Sequence, residues 1–162
     1  DRKVENHPVW RLKRKLKPKT DYFLNKDRVH LLLLRSLIDN PENRVVYEYL
    51  MAYYLLNKDL DGFLRYFNMM DSYHYKKVPL AWQEALVYIY SLLPEVPEHL
   101  RNIQIDDAVK QKIRDYASLY AQGKVKAQKL LERDFGNTYW YYLHFTQLPS
   151  DTLLVEVQKN RE

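Results

Sequence analysis

Asn57, Asp59 and Asp61 alternate ahead of Gly62 in the stretch LLNKDLDGFLRYF, residues 55 to 67. Oxygen donors spaced this way form the first half of a calcium loop, where successive ligands turn toward a hard cation and a glycine allows the sharp bend. Such a loop needs a bidentate carboxylate at its twelfth position, which counted from Asn57 holds Asn68. The first ligand would also be a neutral amide, with positive Lys58 beside it. The stretch is therefore expected to start a helix, LDGFLRYFNMM, with Asp59 as N-cap and Asp61 in the first turn, where its charge favours the helix dipole. No metal is expected there.

Other constellations that carry chemistry are scarce. His7, His30, His74, His99 and His144 fall on separate segments with no partner at helical ligand spacing, so none makes a zinc site. The serines show no nucleophile elbow, and three scattered glycines cannot build a phosphate loop. With no cysteine there is no thiolate ligand or nucleophile and no disulfide, and the redox compartment stays open. Glu48 and Glu84 each sit in an aromatic-rich helix and would make an acid pair if both faced one groove; the simpler expectation is acids answered by Arg or Lys. The sequence thus predicts no catalytic residue, no cofactor and no enzyme activity.

The elements that hold these residues follow from composition and spacing. The 162 residues suit one domain, and 46% hydrophobic content can bury a core. Apolar residues recur at helical spacing with no alternating β-branched runs, which predicts an all-α chain. No apolar run approaches the length of a spanning helix, and no secretory signal is present. The start at Asp1 reads as a fragment of a longer protein. Asp27 is expected to cap a buried helix over DRVHLLLLRSLID that stops at Asn40-Pro41. Pro41 is expected in the first turn of the next helix, residues 41 to 57, which is apolar nearly all round and must be covered on more than one face. Later helices are expected from Trp82, from Asp106 to Gln122, from 124 to 135, and from TYWYYLHF with Asn137 or Thr138 as cap. Gly123 and Gly136 are expected as stops.

Charge is concentrated at one end. Residues 1 to 28 hold ten Lys/Arg against four acids, while the remainder is near neutral, so the pI of about 9.2 is an N-terminal effect. The organisation expected is a basic arm at 1–26, a helical-repeat domain at 27–147 and a polar tail at 148–162. In the arm, Arg11, Lys13, Arg14, Lys15, Lys17 and Lys19 are spaced to lie along phosphates or anionic lipid, with Trp10, Leu12 and Leu16 as apolar contacts. The favoured expectation is that those apolar residues pack on the first buried helix while the lysines stay wet; nucleic acid is not the expected partner.

The stretch IDNPENRVVYEYLMAYYLLNKDLDGFLRYF resembles a tetratricopeptide repeat. Pro41 takes the inter-repeat proline, Tyr47 and Leu50 the aromatic and leucine of the first helix, Tyr54 its later tyrosine, 59–61 the turn, and Phe67 fits the second helix. Met51 and Phe63 stand where that family prefers small residues, and Lys58 where it often has glycine, which implies wider packing. Trp82, 35 residues after Tyr47, suits a repeat of that period. The resemblance implies helical hairpins stacked as an irregular α-α superhelix, with Val45, Glu48, Ala52, Leu55 and Leu56 facing a groove. As a set, NRVVYEYLMAYYLL, WQEALVYIY and GNTYWYYLHF are similar to the C-terminal region of an uncharacterised family of bacterial membrane-anchored proteins. That similarity implies attachment through an upstream region and a place on one face of a bacterial membrane, the outer one slightly favoured.

The fifteen tyrosines fit both a core and a binding surface, because they bring large area with a polar tip. Tyr47, Tyr49, Tyr53 and Tyr54 are expected mainly in packing. The function expected is an interaction module that binds a protein segment or docks within its own longer chain. Alternatives are an accessory domain of a membrane-embedded enzyme whose catalytic residues lie upstream, or contact of the basic arm with anionic lipid or nucleic acid.

Overall fold

The computed structural model describes residues 7–15 and 28–148. Among these residues there are nine α-helices and no strand, so the chain is all-α as its spacing predicts. No helix among them is long and apolar enough to cross a membrane. The chain divides into two compact units, Asp1–His74 and Tyr75–Glu162, with the boundary inside the span read from sequence as one repeat domain.

The first unit holds α1 (Pro8–Lys15), α2 (Val29–Asp39), α3 (Arg44–Leu56), α4 (Leu60–Phe67) and a 3-10 turn at Asn68–Tyr73. α3 is its centre. Tyr47, Leu50 and Met51 have no exposed surface, and Phe63 and Phe67 meet them from α4. Burying each such side chain is worth roughly 1.5–3 kcal/mol. α3 opens at Arg44 and not at Pro41, because the Asn43 side chain accepts the Val46 N–H at 3.3 Å and so supplies the cap. Its far end turns through Lys58, whose φ of 56° is left-handed. Asp59 then caps α4 as expected, its Oδ1 accepting the Gly62 N–H at 2.8 Å. The Tyr47 hydroxyl lies 3.1 Å from the Tyr66 carbonyl and 3.2 Å from that of Phe67, so a core side chain serves carbonyls at the end of α4. Its ring stacks on Tyr73 at 4.5 Å, and the Tyr73 hydroxyl donates to the Pro41 carbonyl at 2.8 Å.

Two expectations fail in this unit. α2 is not the buried helix its leucines suggest: only Leu37 is buried, while Leu31 and Ile38 are 46% and 76% exposed. Its perimeter is apolar on more sides than α3 covers. Nor does α1 dock its apolar residues, since none of its residues is buried and Trp10 and Leu12 are about half exposed. Leu16, Lys17, Lys19 and Asp27 lie outside the described residues, as does the tail from 149.

The second unit holds α5 (Leu80–Leu92), α6 (Glu98–Arg101), α7 (Asp107–Tyr120), α8 (Lys124–Phe135) and α9 (Tyr139–Phe145). Gly123, with a φ of 112°, separates α7 from α8, and Thr138 caps α9 by accepting the Tyr141 N–H at 3.2 Å. α5 is central here, packed against α7 and α9: its Trp82, Ala85, Leu86 and Ile89 are buried, as are Leu100, Val109, Leu131 and Trp140 in the rest of the unit. Gln83 is also buried. Its Nε2 donates to the Val78 carbonyl at 2.9 Å and its Oε1 accepts the Asp106 N–H at 2.8 Å, tying the starts of α5 and α7 together.

Gly62 has a second role beside donating to its cap. A Cβ built on it would lie 2.4 Å from the Tyr54 ring, which is 5% exposed and stacked on Tyr66 at 5.7 Å. Gly to Ala in a helix ordinarily gains about 0.5–1 kcal/mol, whereas here overpacking reverses the sign. Gly62→Ala should lose about 1–3 kcal/mol in chemical denaturation; a gain would show that the α3–α4 approach is not limiting.

Candidate functional site

The Asn57–Asp61 pattern is a turn. With Asp59 committed to its cap, and no group of three or more metal-ligating side chains among the described residues, the structure assembles no metal centre from it. Of the histidines, His144 is the one set in a polar cluster; His7, His74 and His99 are exposed, and His30 lies against Tyr53 at 5.6 Å.

Glu48 and Glu84 belong to different units and have different partners. Glu48 pairs with Arg44 at 2.9 Å, one helical turn away and half exposed, which is the simpler expectation. Glu84 departs from it. The side chain is buried and is met by backbone, its Oε2 accepting the Tyr139 N–H at 2.8 Å while its own carbonyl accepts the Trp140 indole N–H at 2.7 Å. Burial raises the Glu84 carboxyl above the usual carboxylate range, against the lowering effects of the Tyr139 N–H and the Lys112 charge. A carboxylate at the first N–H of α9 is a structural cap, and it explains a buried acid without invoking catalysis.

The proposed groove residues divide. Val45 and Leu56 are each 59% exposed, and Glu48 and Ala52 are partly exposed, so these four reach the surface of α3. Leu55 does not: at 5% exposure it belongs to the core, because it shares the inward face with Met51 and Tyr54. Sequence reasoning instead placed Tyr49 mainly in packing, yet it is 65% exposed. Val45, Tyr49, Ala52 and Leu56 recur at steps of four, three and four residues, which puts them on one face of the helix. The signal was present in that spacing, but a helix apolar all round does not announce which face is uncovered.

The second unit contains a cleft of about 310 Å³ that the sequence did not reveal. It lies between α5 and α7, with His144 of α9 beside it. His144 Nδ1 is 2.6 Å from the Tyr116 hydroxyl and Nε2 is 3.3 Å from the Tyr88 hydroxyl, and the imidazole stacks on Tyr120 at 4.5 Å. The Tyr116 hydroxyl also reaches the Trp140 carbonyl at 3.3 Å. Burial pushes the Tyr88 and Tyr116 hydroxyls up, so both stay protonated at neutral pH, and His144, which carries a hydrogen on at least one ring nitrogen, accepts from at most one of them.

A family model covers residues 1–146 of the chain. The chain belongs to the family of unknown function DUF6057. Comparison with curated proteins and with solved structures gives no match. Membership in DUF6057 assigns no residue a role, so the site rests on its geometry.

Glu84 gives a testable pH dependence. Its folded pKa is raised, so between the unfolded and folded values the folded chain holds more protons, and stability falls as pH rises through that window. Glu84→Gln keeps an acceptor for Tyr139 and removes the charge. Its stability relative to the parent should improve from acid toward neutral pH, whereas Glu84→Ala, which orphans the N–H, should cost about 1–3 kcal/mol. Denaturation of the three proteins at several pH values checks both.

Proposed function

We propose that the chain is a non-catalytic helical-repeat interaction module that binds an apolar protein segment along α3. The observation that carries this is the row of exposed Val45, Tyr49 and Leu56 with partly exposed Ala52 between them, on a helix whose other face is buried. An amphipathic helix laid along such a row would gain apolar contact at alternating turns, with Tyr49 as a rigid anchor and the Arg44–Glu48 pair as a polar rim. Tetratricopeptide-like stacking is the architecture this reading adopts. It is supported by the α3–α4 hairpin, by Tyr47 and Leu50 in its core, and by a left-handed turn at Lys58 where that family often has glycine. Met51 and Phe63, which stand where that family prefers small residues, are both fully buried.

The test uses peptides selected from a displayed library of amphipathic helices. Selected peptides should bind the parent at least about tenfold more tightly than the double variant Tyr49→Glu, Leu56→Glu, while thermal unfolding of the variant stays within about 0.5 kcal/mol of the parent. Equal binding to parent and variant would remove α3 as the docking face.

A second reading rests on α1, and it fits the similarity to membrane-anchored proteins. Val9, Trp10 and Leu12 are exposed beside Arg11, Lys13, Arg14 and Lys15, with Lys13 Nζ 4.9 Å from the Trp10 ring centre. A short basic amphipathic helix of this kind suits an anionic lipid surface. The chain should bind vesicles rich in phosphatidylglycerol at low salt and release them at about 0.5 M salt, where charges are screened. Blue-shifted Trp10 emission should accompany binding. Binding that is indifferent to salt, or to replacing the four basic residues by Gln, would exclude this role.

A further inference from the structure

The cleft of the second unit goes beyond the α3 reading and does not depend on it. Its walls are apolar, with Val87 on α5, Ile113 and Ala117 on α7, and Ala121 at the C-cap of α7. The two alanines stand one helical turn apart, and both are exposed because nothing fills the space in front of them. The volume of about 310 Å³ is at the small end of the range for ligand sites, enough for a body of about one or two rings. Planar groups already define one side, since the stacked Tyr120 and His144 rings border the space.

The charge of the cleft is one-sided. Its ten lining residues include Arg114 and no acid. Arg114 is held by the neutral Gln111 amide oxygen, at 2.6 Å from Nη2 and 3.2 Å from Nε, and Asp115 is engaged by the Gln111 Nε2 at 2.8 Å. The guanidinium is thus braced in one orientation by a neutral partner, which leaves its charge for an incoming anion. Ser91 lies across the cleft on α5. The tyrosine hydroxyls and His144 bond to one another, so they shape the polar end without requiring a charged guest.

We propose that this cleft binds a small aromatic monocarboxylate, with its ring between the α5 and α7 walls and its carboxylate on Arg114.

The probes are naphthalene-2-carboxylate and its neutral twin naphthalene-2-methanol, titrated into the full chain with amide shifts followed by NMR. The acid should shift the amides around Ser91, Ala117 and Ala121 and bind more tightly than the alcohol. Arg114→Gln should weaken the acid by about tenfold or more and leave the alcohol unchanged. Ala117→Leu, an exposed helical position that tolerates the larger side chain, should block both. Shifts elsewhere, or none at millimolar acid, would overturn the proposal. So would equal binding of acid and alcohol with no effect of Arg114→Gln, which would make the cleft a purely apolar site.

Discussion

The bond from the Tyr139 N–H to the buried carboxylate of Glu84, joined by that from the Trp140 indole to the Glu84 carbonyl, fixes α9 against the middle of α5. Two consecutive residues of α9 are thereby tied to one residue across more than fifty positions of sequence. Such a contact closes a long loop, and its entropic cost is met because Trp140 is completely buried. His144 rides on the same short helix. Its place between Tyr88 and Tyr116, and with it the polar end of the cleft, depends on where Glu84 holds the start of α9.

The first unit solves the same problem with a neutral group. Helix ends leave carbonyls and amides that water cannot reach once the core closes. Tyr47 serves two such carbonyls at the end of α4, and Tyr73 serves the Pro41 carbonyl. Buried tyrosines thus carry both the packing and part of the hydrogen bonding, which explains their number better than a binding role alone.

Local signals in the sequence were reliable. The Asp59 cap, the Asn40 stop, the left-handed Gly123 and the Thr138 cap all depend on residues within a few positions of one another, and all stand where the chemistry of caps and turns puts them. What depends on distant neighbours was not legible. Leu55 and Tyr49 differ in burial only by the face of α3 they occupy, and that face is chosen by α2 and α4. The cleft draws on residues from Val87 to His144, whose approach no local pattern encodes. Gly62 stands in sequence where a calcium loop would have its glycine, and its closeness to the Tyr54 ring is invisible in one dimension.

The tryptophans are distributed so that light reports the parts of the molecule separately. Trp82 and Trp140 are buried in the second unit, Trp10 is half exposed on α1, and residues 28–74 contain none. Emission from the apolar interior and from water differ in colour, so the blue component belongs to the second unit and the red one to α1. The helices around α3 are dark in tryptophan and carry only tyrosine. An unfolding curve read from the blue tryptophan component therefore follows the second unit and passes over the helices around α3, without attaching any label.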